Sequence, residues 1–207
     1  MKNIKNISYI IIIIFILLFF IDDEDINNDN VLLVNKENEI SKNYIPKDLE
    51  MINIRYSNEG KYLRKEAKES FEKLASDANL LGYKIIAVSA YRDYEYQSKL
   101  YNNYVEKYGL EYASNCSAKP GYSEHQTGLA VDVMGSNNDY NKFEESNEFE
   151  WMKNNAHLYG FILRYPKGKE NITGYKYEPW HYRYVGKKDA YVIYNNNLTL
   201  EEYKKAN

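Results

Sequence analysis

Two segments about fifty residues apart hold the side chains most capable of chemistry: Ser123-Glu124-His125-Gln126-Thr127-Gly128-Leu129-Ala130-Val131-Asp132 and Glu178-Pro179-Trp180-His181. His125, Asp132 and His181 offer two imidazole nitrogens and one carboxylate oxygen. That is the donor set of a hydrolytic zinc site, which keeps a fourth position open to water. Glu178, three residues before the last donor, is placed to accept that water's proton. Singly these residues are unremarkable, since a lone histidine is more often structural and Asp132 would be satisfied by an arginine. Yet an aspartate inside the run Leu-Ala-Val-Asp-Val-Met is costly to bury without a partner. The chain has only 3 histidines, and two of them fall in these patterns.

The scaffold that must position these groups is read from hydrophobic period and punctuation. Val31 to Lys36 reads as a first strand. From Tyr62 to Leu81 the apolar positions 63, 67, 71, 74, 78 and 81 recur at helical spacing, with Gly82 placed to end the helix. Ile85 to Val88 is a short buried strand running into Ser89-Ala90-Tyr91-Arg92. Asp93 is a natural N-cap for a second helix reaching about Tyr108. Pro120-Gly121 opens a loop that carries His125. Leu129 to Met134 is strand-like, with Asp132 on the face shared by Ala130 and Met134. A third helix runs from about Ser146 to Tyr159 and stops at Gly160, followed by strands at Phe161 to Tyr165 and Tyr182 to Val185. Thr199 and Glu202 form a capping box for a terminal helix. Helices and strands mix without strict alternation, which predicts an α+β domain over 31–207, its small antiparallel or mixed sheet flanked by helices.

With 207 residues, the chain has room for one domain and a tail. Its 44% hydrophobic content, much of it from 23 tyrosines, supplies a core. A formal charge of -3 and the lack of any basic stretch argue against a nucleic-acid binder. Cys116 is the single cysteine, excluding an internal disulfide or a Cys-rich zinc site, and it reads as a small, partly buried, unactivated thiol. At the N-terminus, Lys2 and Lys5 precede an apolar run from Tyr9 to Ile21, and Asp22-Asp23-Glu24-Asp25 follows at once. This is an export signal that leaves its N-terminus in the cytoplasm. As a helix the run reaches about 20 Å, short of a ~30 Å hydrocarbon core. No small-x-small cleavage site follows it, which favours an uncleaved signal-anchor over residues 1–21 rather than a cleaved signal peptide. Residues 22–30 then form an acidic linker, and the domain works outside the membrane. No obligate protein partner is implied.

The two motifs closely resemble the zinc D-alanyl-D-alanine carboxypeptidases of the VanY type, in the superfamily that includes VanX dipeptidases and the hedgehog signalling domain. The likeness spans about Val31 to the C-terminus and takes in LLVNK at 32–36, SAYR at 89–92, YGFILRYP at 159–166 and LTLEEY at 198–203. It implies a hedgehog-like peptidase fold and one Zn2+ ion held by His125, Asp132 and His181. It also implies Glu178 as catalytic base, Arg92 holding the substrate carboxylate, and a peptidoglycan stem peptide as substrate. By the same resemblance Ser123 bonds the substrate backbone, while Gln126 and Tyr182 are expected only to line the pocket. A guanidinium suits a free terminal carboxylate because it binds both oxygens at once. The residues leave open an L,D-carboxypeptidase, a D,D-dipeptidase, a wall endopeptidase or a wall-binding module without turnover.

Two other patterns compete. Ser70-Phe71-Glu72-Lys73 fits the SxxK of serine penicillin-binding enzymes and Ser136-Asn137-Asn138 fits their SxN, but no Lys-Thr-Gly follows. His157, near the end of the third helix, reads as structural, an imidazolium suited to the helix dipole.

Overall fold

The computed structural model describes residues 29–136 and 139–206. The segment assigned to membrane anchoring and most of the acidic linker lie outside them. Among the described residues no helix is long and apolar enough to cross a membrane.

The chain forms an α+β domain around an antiparallel sheet of four short strands. After a 3-10 turn at Asp29–Val31, strands β1 (Leu49–Met51) and β2 (Tyr62–Arg64) pair as a separate antiparallel hairpin. Helix α1 (Lys65–Leu80) leads to β3 (Ile86–Ser89), α2 (Tyr94–Tyr108) and α3 (Leu110–Cys116). Then come β4 (Ala130–Met134), α4 (Tyr140–Phe143), α5 (Asn147–Asn155), β5 (Phe161–Leu163) and α6 (Glu170–Thr173). Strand β6 (His181–Tyr184) and helices α7 (Lys187–Asn195) and α8 (Leu200–Ala206) complete the domain. The main sheet has the order β3-β4-β6-β5.

Most predicted elements are present, with shifted ends. Helix α1 buries Ala67, Phe71, Leu74, Ala75 and Ala78 along one face, as its spacing requires. Tyr62–Arg64 is strand rather than helix, however, and Leu81 is exposed beyond the helix end. Gly82 follows at φ 88°, a conformation glycine adopts without strain. Asp93 caps α2 by accepting from the Tyr96 amide at 2.7 Å. The third helix is α-helical only to Asn155 and finishes as a 3-10 turn over Ala156–Tyr159, closed by Gly160 in the left-handed region. At α8 the capping box is reciprocal: the Thr199 amide donates to Glu202 and the Glu202 amide to the Thr199 hydroxyl.

The predicted strand at Val31 to Lys36 is not formed. Its backbone is used elsewhere: the carbonyls of Asn30 and Leu32 accept from Arg183, and the Asn35 side chain accepts from the amides of Glu37 and Asn38, turning the chain. Val31 and Val34 are still buried, so the apolar run marked burial and not strand. Asn30, placed in the linker on sequence, already belongs to the folded unit.

Strand alternation divides the main sheet into two unlike faces. Val131 and Val133 on β4, Tyr182 and Tyr184 on β6 and Phe161 on β5 pack into the larger apolar core with Phe71 and Leu74 of α1 and Met152 of α5. The opposite face carries Ala130, Asp132, His181 and Arg183, in register across β4 and β6.

Candidate metal centre

Sheet register brings the predicted donors together. Asp132 lies directly opposite His181 on the neighbouring strand, and Ser89 of β3 lies opposite Asp132 on its other side. His125 comes from a 3-10 turn over Glu124–Thr127 that ends at Gly128 in the left-handed conformation. A side chain at Gly128 would also meet Leu49 Cδ2 at 2.9 Å, so the turn that aims His125 depends on glycine twice over. The donor atoms of His125, Asp132 and His181 all lie within 4.8 Å of one another. His125 Nε2 is 3.4 Å from one Asp132 oxygen, and His181 Nδ1 is 2.9 Å from the other. One cation fits between them.

The chemistry of each donor agrees with this. His125 Nδ1 is 2.6 Å from the Ala90 carbonyl, which can only accept, so Nδ1 carries the proton and Nε2 turns a lone pair into the site. Burial and the nearby Arg92 push the pKa of His125 down to about 4, keeping it neutral. Burial opposes charge on Asp132 as well, but His125 and His181 hold its carboxyl well below the usual range. His181 moves the other way: against its burial, hydrogen bonds to Asp132 and Glu124 and the nearby carboxylates raise it to about 9. Carboxylates that make a buried imidazole hold a proton define a place for positive charge. A metal ion competes for it directly.

Glu178 sits on the turn before β6, its amide bonded to the Tyr165 carbonyl at 3.1 Å and its carboxylate 3.7 Å from His181 Nδ1. Burial raises its pKa to about 7, with Asp132 and Glu124 adding to the rise against His181 and Arg92. That value suits a group that takes and returns a proton near neutrality.

These groups line a cavity of about 310 Å³ together with Arg92 and Ser123. Arg92 donates to the Ser89 hydroxyl at 2.9 Å and lies 4.0 Å from Asp132, while its buried Nε has no partner among the described residues. Gln126 and Tyr182 do not line it. Gln126 faces away and donates to the carbonyls of Ser41 and Tyr44. Tyr182 follows His181 in the strand, so alternation sends it into the apolar core, fully buried. Tyr140, Tyr165 and Tyr175 are aromatic walls that the sequence did not single out, Tyr165 lying 4.8 Å from the His181 ring. Cys116 is exposed at the cavity wall rather than partly buried.

Beneath the donors lies a charged cluster that also went unread. Glu124, Arg164 and Arg183 have no exposed side-chain surface. Arg164 Nε and Arg183 Nη1 both donate to Glu124 Oε1, at 2.7 and 3.0 Å, and Arg164 makes two further bonds to Glu201 of α8. Burial alone would raise Glu124, but the two guanidinium groups hold its carboxyl far below the usual range.

Neither competing pattern reaches the site. Ser70 and Lys73 lie within α1, Lys73 paired with Asp77, and Asn137 and Asn138 are outside the described residues. His157 is structural, but burial lowers its pKa, so it is no imidazolium at a helix end.

Comparison with known proteins agrees with the geometry. Residues 60–187 match the family model VanY, D-alanyl-D-alanine carboxypeptidase. The chain belongs to the VanY family. It is 46% identical over 185 residues to YodJ of Bacillus subtilis (strain 168), covering 86% of this chain and 68% of that one. Among solved structures, the LdcB LD-carboxypeptidase superposes with a TM-score of 0.80 at 43% identity, covering 89% of this chain and 93% of that chain. The D,D-pentapeptidase VanY of a VanB-type resistance cassette, solved with Zn(II), gives 0.73 at 34% identity, covering 85% and 99%. That relative holds zinc, and this VanY-family chain has the donors for one such ion in His125, Asp132 and His181.

Proposed function

We propose that this protein is a zinc carboxypeptidase that releases the terminal D-alanine of peptidoglycan stem peptides, acting on a D-Ala-D-Ala terminus. The observation that carries this reading is the cross-strand pair Asp132 and His181, with His125 above it and Glu178 beside it, in one cavity. Bound zinc would supply a Lewis acid that polarises the scissile carbonyl and acidifies water. The protein's own groups do the rest. Glu178 takes a proton from the attacking water and delivers it to the leaving amine. Arg92, whose guanidinium group lines the cavity, receives the terminal carboxylate through a two-pronged contact and so fixes which bond is cut. Tyr140 and Tyr165 narrow the cavity and exclude bulk water from the reacting centre.

The test is Glu178→Gln. It keeps shape and hydrogen bonding but removes the base, so kcat on a D-Ala-D-Ala pentapeptide should fall about 10²- to 10⁴-fold with zinc still bound. Turnover at the wild-type rate would end this reading. Because the base must be ionised, activity rises with pH through its pKa. A bound cation favours the carboxylate, so the acid limb should lie below the value of about 7 in the free site.

A second reading, L,D-cleavage of tetrapeptide stems, is favoured by the likeness to the LdcB LD-carboxypeptidase, stronger than that to the zinc-bound VanY. Mass spectrometry of synthetic penta- and tetrapeptides separates the two: loss of alanine from the pentapeptide alone supports D,D-cleavage, and loss from the tetrapeptide L,D-cleavage. The apolar run at Tyr9 to Ile21 is further proposed to anchor the enzyme with its domain outside the membrane. Activity in culture supernatant instead of the membrane fraction would overturn that.

A further inference from the structure

Two buried atoms in the charged cluster face each other and have no other use. His181 Nε2 and Glu124 Oε2 are 3.5 Å apart, and neither has a hydrogen-bond partner among the described residues. Their surroundings leave little freedom. The other Glu124 oxygen is taken by Arg164 and Arg183. Arg183 is in turn tied to the carbonyls of Asn30 and Leu32, at 3.0 and 2.8 Å. Arg164 is tied to Glu201, which also accepts from Asn35 at 3.1 Å. Glu124 is therefore clamped from two sides with its second oxygen presented to the imidazole edge that points away from Asp132 and Glu178.

We infer that Glu124 is a positioning residue for the metal site: its clamped carboxylate accepts from the Nε2–H of His181, which fixes the ring's tautomer and turns the Nδ1 lone pair towards the cation. A carboxylate can only accept in this setting, so the imidazole must donate at Nε2. Donating there leaves Nδ1, beside Asp132 and Glu178, as the donor to metal. The arginines that clamp Glu124 are in turn bonded to the N-terminal segment and to α8. Outer partners of this kind typically govern metal affinity by 10- to 100-fold.

The inference rests on reading His125, Asp132 and His181 as a metal site, and Glu124→Gln tests it separately. The arginines require an acceptor, so the glutamine oxygen should stay on their side and its amide should face Nε2. A donor there demands the opposite tautomer, with the proton on Nδ1. Zinc affinity, measured by chelator competition, should fall at least tenfold. Glu201→Gln disturbs the same cluster without touching His181 and should stay within twofold of wild type. In zinc-loaded wild-type protein, nitrogen-15 NMR should show a slowly exchanging Nε2 proton on His181, a readout independent of whether the variant folds. Unchanged affinity in Glu124→Gln, equal loss in Glu201→Gln, or a proton on Nδ1 in the loaded wild type would each overturn the inference. If the wild type binds no zinc at all, the metal reading itself has failed.

Discussion

The two faces of the four-stranded sheet are made by the same strands, their residues taken alternately, and they are stabilised by different physics. On one face Val131, Val133, Tyr182, Tyr184 and Phe161 share a core with α1 and α5. Hydrophobic burial is non-directional, so each side chain there needs volume and shape more than a particular neighbour. On the other face Asp132, His181, Arg183 and, one residue beyond β5, Arg164 each have a named partner at hydrogen-bond distance. Charge in that interior is tolerated only while every partner is present. A peptidase needs both: the apolar face fixes the strands, and the fixed strands let Asp132 and His181 meet in register.

The sharpest way to break this comparison is to make replacements of similar size on each side. Arg164→Met removes one cation, leaving Glu124 with Arg183 alone and Glu201 with no charged partner in the cluster. It should cost about 3–5 kcal/mol in urea unfolding. Leu74→Met, in the buried stripe of α1, should cost less than about 1.5 kcal/mol. Equal costs would show that the ionic face is more solvated or more adaptable than its burial implies. Zinc probes the same face from the cavity side. At a hundredfold excess over its Kd, zinc should stabilise the fold by about 2.7 kcal/mol, seen as a rise in melting temperature. Asp132→Asn should abolish that increment, while Val133→Ala, one residue along and on the apolar face, should lower stability and keep it.

How much of this could be read from the chain differs between the faces. Helical spacing in α1, the caps Asp93 and Thr199, and the stop at Gly160 are local signals and gave most elements. The strand at Val31 to Lys36 failed because a hydrophobic run records burial, and here the backbone serves Arg183 and Asn35 instead of a ladder. The metal donors were legible as motifs. Tyr182 was misplaced because its role depends on strand parity, and the strand begins one residue earlier than expected, at His181. Arg164 and Arg183 lie in strand-like segments, where a charge warns that a partner must exist, and that partner, Glu124, comes from the loop carrying His125. Which partner is a matter of three-dimensional closure, and no spacing in the sequence encodes it.

The smallest effect comes from a second buried histidine, and it separates the two kinds of surroundings again. His157 is 8% exposed, stacks on Tyr194 of α7 with ring centroids 3.7 Å apart, and has no partner for Nδ1 among the described residues. Burial lowers its pKa from the ordinary 6.5, whereas His181, among carboxylates, is raised to about 9. A depressed folded-state value means that the unfolded chain binds more protons below about pH 6.5. The contribution of neutral His157 is therefore complete above that pH and is lost as pH falls through the folded value. His157→Phe keeps the stack on Tyr194 and removes the titration. Unfolding free energies at pH 7 and pH 5 should fall more for the wild type than for this variant. Equal losses would mean that the protonated ring is accommodated without cost in its stacked aromatic surroundings.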